Sequence, residues 1–287
     1  MGNAVIVGSG PAGISAALYT SRAGVRTTVI GKDAGALERA EKIENYYGFA
    51  EPVSGRGLVE NGLAQARRMG VEIISNEVVG IGYVNQLIVK TAKGEYPADA
   101  VILATGSSRQ APKIKGLSEY EGRGVSYCAV CDAFFYKGKD VAVFGCCEYA
   151  LSEAEELLPV ANSVTLITNG ETPISRIPPE IRVITSQISE FAGSQKLEKV
   201  IFKDGSEIPA AGVFVAVGVA GSGDLAKKMG AEVEKNTIVV DERMATSIPG
   251  LYAAGDCTGG LLQIAKAVYQ GAVAGTEAVK YIRGKSK

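Results

Sequence analysis

Histidine is missing from all 287 residues of this chain. That removes the commonest proton-transfer side chain and the commonest metal ligand, so acid–base work falls to Asp, Glu, Tyr, Cys or Lys. An excess of one charge is missing too. Lys and Arg number 30 against 31 Asp and Glu, a net charge of −1 that gives no handle for nucleic acid. No apolar run approaches the ~20 residues of a membrane span. The N-terminal stretch has no basic segment and is broken at Gly8-Ser9-Gly10, so the chain reads as soluble and cytoplasmic, with no membrane or nucleic-acid partner. The length allows about two domains, each with its own core.

Glycine, by contrast, is abundant at 36 residues and scattered at turns, as many short strand–helix connections require. Two of those turns are related. Ala4-Val5-Ile6-Val7 runs into Gly8-Ser9-Gly10-Pro11-Ala12-Gly13, a dinucleotide-binding fingerprint with a strand before it and a helix over 11–23 after it. In such a loop the first glycine makes the turn, the second admits a pyrophosphate to the backbone, and the third lets helix pack on strand. Val141-Ala142-Val143-Phe144 runs into Gly145-Cys146-Cys147-Glu148-Tyr149-Ala150, where Cys147 fills the second slot with a Cβ and a sulfur. The first loop reads as a working nucleotide site and the second does not. Cys146 and Cys147 read as small apolar fillers of a tight turn, with a strained vicinal disulfide as the alternative.

Strands are expected at 3–8, 25–30, 101–104, 141–144, 163–168, 200–202, 213–217, 237–240 and 251–254, and a last helix at 263–283. Two βαβ units of this kind imply an α/β fold with two doubly wound, Rossmann-like domains. Composition shifts around 110–116 and 241–247 suggest that the second domain, 110–242, is inserted into a first made of 1–109 and 243–287. The basic residues Arg109, Lys113, Lys115, Arg123, Lys137 and Lys139 read as a solvated face, or else as a docking patch for an acidic protein.

An acid for the adenosine ribose is expected about 20 residues past the first loop. Lys32 stands there with Asp33 beside it, so Asp33 is the candidate. Leu251-Tyr252-Ala253-Ala254-Gly255-Asp256 is a strand ending in Gly-Asp, which sets a carboxylate against a polyol, and the last helix offers its N-terminus to phosphate. With the glycine-ended strand Val101-Ile102-Leu103-Ala104-Thr105-Gly106, these features point to FAD rather than a free nicotinamide cofactor.

Cys128-Ala129-Val130-Cys131-Asp132 is the chemical centre. Thiols at this spacing reach disulfide geometry within one turn, and an adjacent Asp is placed to exchange protons with them. Zinc wants about four ligands and has no histidine to draw on, so no metal site is expected. A redox dithiol is favoured over that and over two inert buried cysteines.

These residues resemble the low-molecular-weight thioredoxin reductases. The resemblance rests on 8–13, Glu44-Asn45, Ala104-Thr105-Gly106, 122–125, 128–135 and 246–256, and so covers nearly the whole chain. It implies an FAD domain with an inserted domain that carries the dithiol, and a homodimer. By position, Cys131 would face the flavin, Cys128 would exchange with thioredoxin, and Asp132 would be the acid–base residue. Asn45 and Gln263, with Ile264 and Ala265 opening the last helix, would touch the flavin or its ribityl chain.

The family's NADPH domain has an intact glycine loop and a basic His-Arg-Arg run after the next strand. This chain has Cys147 and then Thr168-Asn169-Gly170-Glu171. Without cations a phosphate loses its charge-assisted bonds, and Glu171 repels it. Smaller departures are Leu262, where the family usually has Arg, and Ala36 in place of Gln. The pattern is similar to the ferredoxin-dependent flavin type. A ferredoxin gives one electron at a time and a disulfide needs two, a mismatch that FAD resolves. The expectation is therefore a ferredoxin-driven, FAD-dependent reductase of thioredoxin. A reduced deazaflavin coenzyme or NADPH as donor, and a flavin-binding redox sensor without turnover, are the alternatives.

Overall fold

The segments 4–7, 100–103, 141–144 and 251–253 are apolar at every position instead of alternately, the mark of strands covered on both faces in a parallel sheet. The computed structural model, which describes residues 2–33, 35–106, 112–174, 176–218, 221–234 and 237–285, places all of them in such sheets. In chain order the elements begin with β1 (Asn3–Val7), α1 (Pro11–Arg22), β2 (Arg26–Gly31), α2 (Gly55–Arg68), β3 (Glu72–Ser75), β4 (Val78–Val84), β5 (Gln86–Thr91), β6 (Gly94–Ala98) and β7 (Ala100–Leu103). Next come β8 (Val125–Ser126), α3 (Ala129–Asp132), β9 (Asp140–Phe144), α4 (Glu148–Leu157) and β10 (Ser163–Ile167). They are followed by β11 (Ile181–Ile184), β12 (Ile188–Ala192), β13 (Lys199–Phe202), β14 (Glu207–Pro209) and β15 (Gly212–Val215). The chain closes with α5 (Ser222–Lys228), β16 (Val233–Glu234), β17 (Thr237–Ile238), β18 (Leu251–Ala253) and α6 (Ile264–Lys285).

Met1–Ser108 with Gly221–Lys287 form one compact unit, and Arg109–Ala220 form the other. The return to the first unit falls at Gly221, earlier than the 243 that composition suggests. The polar stretch at 241–247 is a tight turn rather than a linker, because Asp241 Oδ1 accepts from the amides of Arg243 and Ala245, both at 2.9 Å. Ahead of it, α5 packs on β4 and β17 within the first unit. The first crossing, 110–116, lies partly outside the described residues, as does Arg109.

The first unit is built on a parallel sheet of order β18-β7-β1-β2-β3. The chain winds outward from β1 to β3 and then returns to β7 on the other side of β1, so the order reverses between β1 and β7. Ligands of open α/β sheets sit beyond the carboxyl ends of the strands at such a reversal. Ile6, Val29 and Ile102 of the sheet pack with Ala16, Ala17, Ala274, Ala278 and Ile282 of α1 and α6. The two helices lie very close. A methyl carbon on Gly271 would stand 2.1 Å from the Ala12 carbonyl oxygen, and one on Gly275 2.6 Å from that of Ala16. Two antiparallel sheets, β4-β5-β6 and β16-β17, accompany the parallel one.

The second unit repeats the plan. Its parallel sheet runs β11-β10-β9-β15-β8, with the reversal between β9 and β15, and an antiparallel sheet β12-β13-β14 accompanies it. Phe144, Ile167, Phe191, Leu197 and Val213 form its core. Among the described residues, no helix is long and apolar enough to cross a membrane.

Candidate functional site

At the reversal in the first unit, the Gly8 amide donates to Ile30 O at 2.8 Å and the Ala104 amide to Val7 O at 2.7 Å. These bonds draw the two strand ends together. Gly8 holds φ +113°, and a methyl carbon there would lie 2.2 Å from the Ala104 oxygen. Gly13 is equally constrained, its would-be methyl carbon standing 1.9 Å from Gly8 O. Gly10 differs from both: nothing lies within 4 Å of a methyl carbon there. It caps α1 without a side-chain bond, Pro11 opens the helix, and the first turn holds no acid. A backbone kept bare at the uncapped end of a helix suits a pyrophosphate, with the amides of Ala12 and Gly13 as donors.

The remaining candidates of this unit gather nearby. Asn45 Nδ2 donates to Gln263 Oε1 at 3.0 Å, which joins two residues 218 positions apart. Gln263 caps α6, its carbonyl taking the Ala267 amide at 3.0 Å, and Ile264 and Ala265 form the first turn, also free of acids. Asp256 opens the turn after β18, while the amide of Gly255 is held by Gln270 Oε1 at 2.9 Å. Lys266 Nζ ties down the carbonyls of Gly255 and Gly259. The Thr105 hydroxyl bonds to that of Ser222, and Gly106 follows. Asp33 is exposed, and its Oδ1 accepts the Gly35 amide at 2.9 Å, while Lys32 pairs with Glu77 at 2.6 Å. Cys257, 2% exposed, donates to Leu103 O at 3.5 Å and Ala254 O at 3.3 Å. Burial pushes its thiol pKa up to about 11.

The second loop matches the first bond for bond. The Gly145 amide donates to Ile167 O at 3.0 Å, that of Ala216 to Phe144 O at 2.8 Å, and that of Leu151 to Cys147 O at 3.1 Å. A methyl carbon on Gly145 would meet Ala216 O at 2.2 Å. Two slots have changed hands: in the second the Cys147 thiol donates to the carbonyl of Gly218, and in the third Ala150 replaces glycine. After β10, Asn169 spends its Oδ1 on the Ile188 amide at 2.7 Å, and Thr168 bonds to Glu171 O at 2.7 Å.

Cys128 and Cys131 are joined as a disulfide, with Cα atoms 5.3 Å apart. Cys128 caps the short helix α3 and accepts the Cys131 amide at its sulfur, at 3.2 Å. Cys128 is buried and Cys131 exposed, so for Cys128 to exchange with a protein its sulfur must first be uncovered. Asp132 Oδ2 accepts from the Ser126 hydroxyl at 2.6 Å, and Ser126 Oγ in turn accepts the Cys128 amide at 3.1 Å. Burial, and then the charge of Asp132, raise the Tyr136 hydroxyl above its usual range. Among the described residues, no group of three or more His, Cys, Asp or Glu is placed to hold a metal ion.

Ser126, Gln270, Ser222 and Glu153 take part in these networks without having been picked out from the sequence. Glu153 left a signal. It is an acid in the apolar stripe of α4, among Ala150, Leu151, Ala154 and Leu157, and its Oε2 accepts the Ala129 amide at 2.7 Å.

The model of the pyridine nucleotide-disulphide oxidoreductase family matches residues 2–271. A thioredoxin reductase of Aquifex aeolicus is 35% identical over 305 aligned positions, covering 99% of this chain and 94% of that protein. The chain belongs to the thioredoxin reductases of this family. FAD is their cofactor and its own, and the bare Gly10 backbone between Gly8 and Gly13 fits that group. Among solved structures, the atypical thioredoxin reductase TRi from Desulfovibrio vulgaris Hildenborough is 41% identical with a TM-score of 0.92, covering 99% of both chains. A ferredoxin-flavin thioredoxin reductase from Clostridium acetobutylicum is 34% identical with a TM-score of 0.73, covering 100% of this chain and 99% of that one.

Proposed function

We propose that this reductase draws its electrons from reduced ferredoxin and passes them through FAD and the Cys128–Cys131 pair to thioredoxin. The observation that carries the donor is the second loop, where the Cys147 thiol is turned onto Gly218 O in the slot a pyrophosphate would need. The segment 168–175 adds no Lys or Arg for a 2′-phosphate, and Asn169 is engaged with β12. The name of the clostridial relative supports the same donor.

In the first unit, Gly10 and the first turns of α1 and α6 would hold the diphosphate. Asp33, Asp256, Asn45 and Gln263 would orient the rest of the cofactor, with Thr105 and Gly106 beside them. Bound FAD supplies the conversion of single electrons into pairs. In the second unit, the disulfide opens as two electrons and two protons arrive. Asp132, already bonded to Ser126, holds or gives a proton at the sulfurs. The thiols then pass the pair to thioredoxin by exchange. A reducing compartment such as the cytoplasm is where such exchange runs in this direction. Exposed Leu261, Leu262 and Tyr269 support a homodimer.

The family's nicotinamide-using members favour NADPH as the competing donor. Anaerobic rapid mixing separates the two. Flavin bleaching by reduced ferredoxin and not by NADPH is expected, whereas rapid bleaching by NADPH alone overturns the donor assignment. Bleaching by a reduced deazaflavin coenzyme alone would replace ferredoxin with that donor. Bleaching without any reduction of thioredoxin would make the chain a sensor.

A further inference from the structure

The turn from Gly255 to Gly259 is held by two residues of α6, and the mechanism above gives neither of them a role. Gln270 Oε1 accepts the Gly255 amide and the Thr258 hydroxyl, both at 2.9 Å. Four residues earlier, on the same face of the helix, Lys266 Nζ donates to Gly255 O at 2.8 Å and to Gly259 O. We infer that Lys266 is a cofactor-binding residue, whose ammonium braces the turn that carries Asp256 and supplies a positive charge to the FAD diphosphate.

Bracing alone does not account for a lysine here. Lys266 is the third residue of α6 and half-buried. The first turn of a helix is the positive end of its dipole, where a cation is disfavoured. Among the described residues, the ammonium bonds to the two carbonyls and forms an ion pair with no carboxylate. An ammonium has three donors, so two carbonyls leave one N–H to spare. Helix end and ammonium together make a positive site that calls for an anion.

The surroundings identify the anion. Gly255 holds φ +88°, and a methyl carbon there would stand 2.9 Å from Cβ of Ala12 and 3.8 Å from that of Ala267. The braced turn therefore lies where the first turn of α1 meets the first turn of α6, beside the bare backbone of Gly10. A diphosphate at that meeting point gains a charge-assisted bond from Lys266 that a neutral side chain cannot replace. A turn fixed before the cofactor arrives also leaves less to be ordered on binding.

The test measures FAD release from diluted holoenzyme, read as the return of free-flavin fluorescence, across a range of salt. In the unmodified protein, FAD affinity is expected to fall severalfold between about 0.05 M and about 0.5 M salt as the charge is screened. An affinity indifferent to salt overturns the inference, whether or not any variant folds. Lys266→Met removes the charge and keeps an apolar stem. It is expected to raise the FAD Kd at least about tenfold and to make the salt dependence shallower. Lys266→Arg, which keeps the charge and the donors, is expected to stay within about threefold of the unmodified Kd. An unchanged Kd in Lys266→Met refutes the inference, as does a weaker Kd with the salt dependence intact, which would leave Lys266 a staple of the fold. A Lys266→Arg protein as weak as Lys266→Met refutes charge as the cause. The inference rests on the diphosphate lying at the first turns of α1 and α6. Gly10→Ala probes that placement without touching Lys266, so the two can fail separately, and no electron donor enters the assay.

Discussion

Gly8 and Gly145 stand at equivalent places in two units, each with its amide on the neighbouring strand and each pressed against the carbonyl of a third strand. The two loops part at the second glycine position and at the third, where Gly13 is matched by Ala150. Gly10 is bare and open, while Cys147 turns a thiol onto Gly218. The constraint on the first glycine position therefore belongs to the sheet, the third position accepts the methyl group of Ala150 in the second unit, and the second position answers to a ligand. A fingerprint read whole merges these two demands, and the pair of loops in this chain separates them.

The largest expected effect probes the other half of the contrast, the dithiol kept by the second unit. Cys131→Ser is expected to abolish thioredoxin reduction while FAD stays bound, as measured by flavin absorbance alongside turnover. Surviving turnover would mean that the second unit does not carry the thiol chemistry. Substitutions at the loops come next. Gly13→Ala and Gly145→Ala are each expected to destabilise their unit by about 1–3 kcal/mol through overpacking, measured by urea unfolding. Gly10→Ala is expected to cost under about 1 kcal/mol in the apoprotein yet weaken FAD at least about tenfold, close to 1.4 kcal/mol. If Gly10→Ala bound FAD normally, the distinction between sheet and ligand positions would fail.

The smallest effect, nil near neutrality, belongs to Cys257 beside the first loop. Its pKa in the folded protein, about 11, lies above the ordinary value of 9.0. The folded state therefore holds the proton more tightly. The stability this contributes is complete below about pH 9 and fades as pH rises toward about 11. Cys257→Ala is expected to flatten that decline in unfolding measured across this window, and an equal decline in both proteins would place its origin elsewhere.

Much of this architecture was legible because short range decides it. The strand–glycine–helix pattern marked both loops, and the spacing of Cys128 and Cys131 marked the pair. What escaped was long-range. The antiparallel strands β4 to β6 are partly exposed and interrupted by Gly80 and Gly82, so they show little periodicity. The boundary at Gly221 was hidden because polar residues that form a turn around Asp241 read like a linker. Ser126, Gln270 and Ser222 are ordinary polar residues until folding brings Asp132, Gly255 and Thr105 to them. The bond between Asn45 and Gln263 could be anticipated only through family resemblance, since nothing local links positions so far apart.

The close contact of α1 with α6 has a consequence for how the protein is made. Ala12 and Ala16 leave the ribosome long before Gly271 and Gly275. The dithiol unit, Arg109–Ala220, is fully synthesised before α6 exists. Its sheet has every strand in hand while the cofactor unit still lacks β18 and the helix that seats α1. During synthesis, then, the disulfide unit is free to fold first, and flavin loading has to wait for α6.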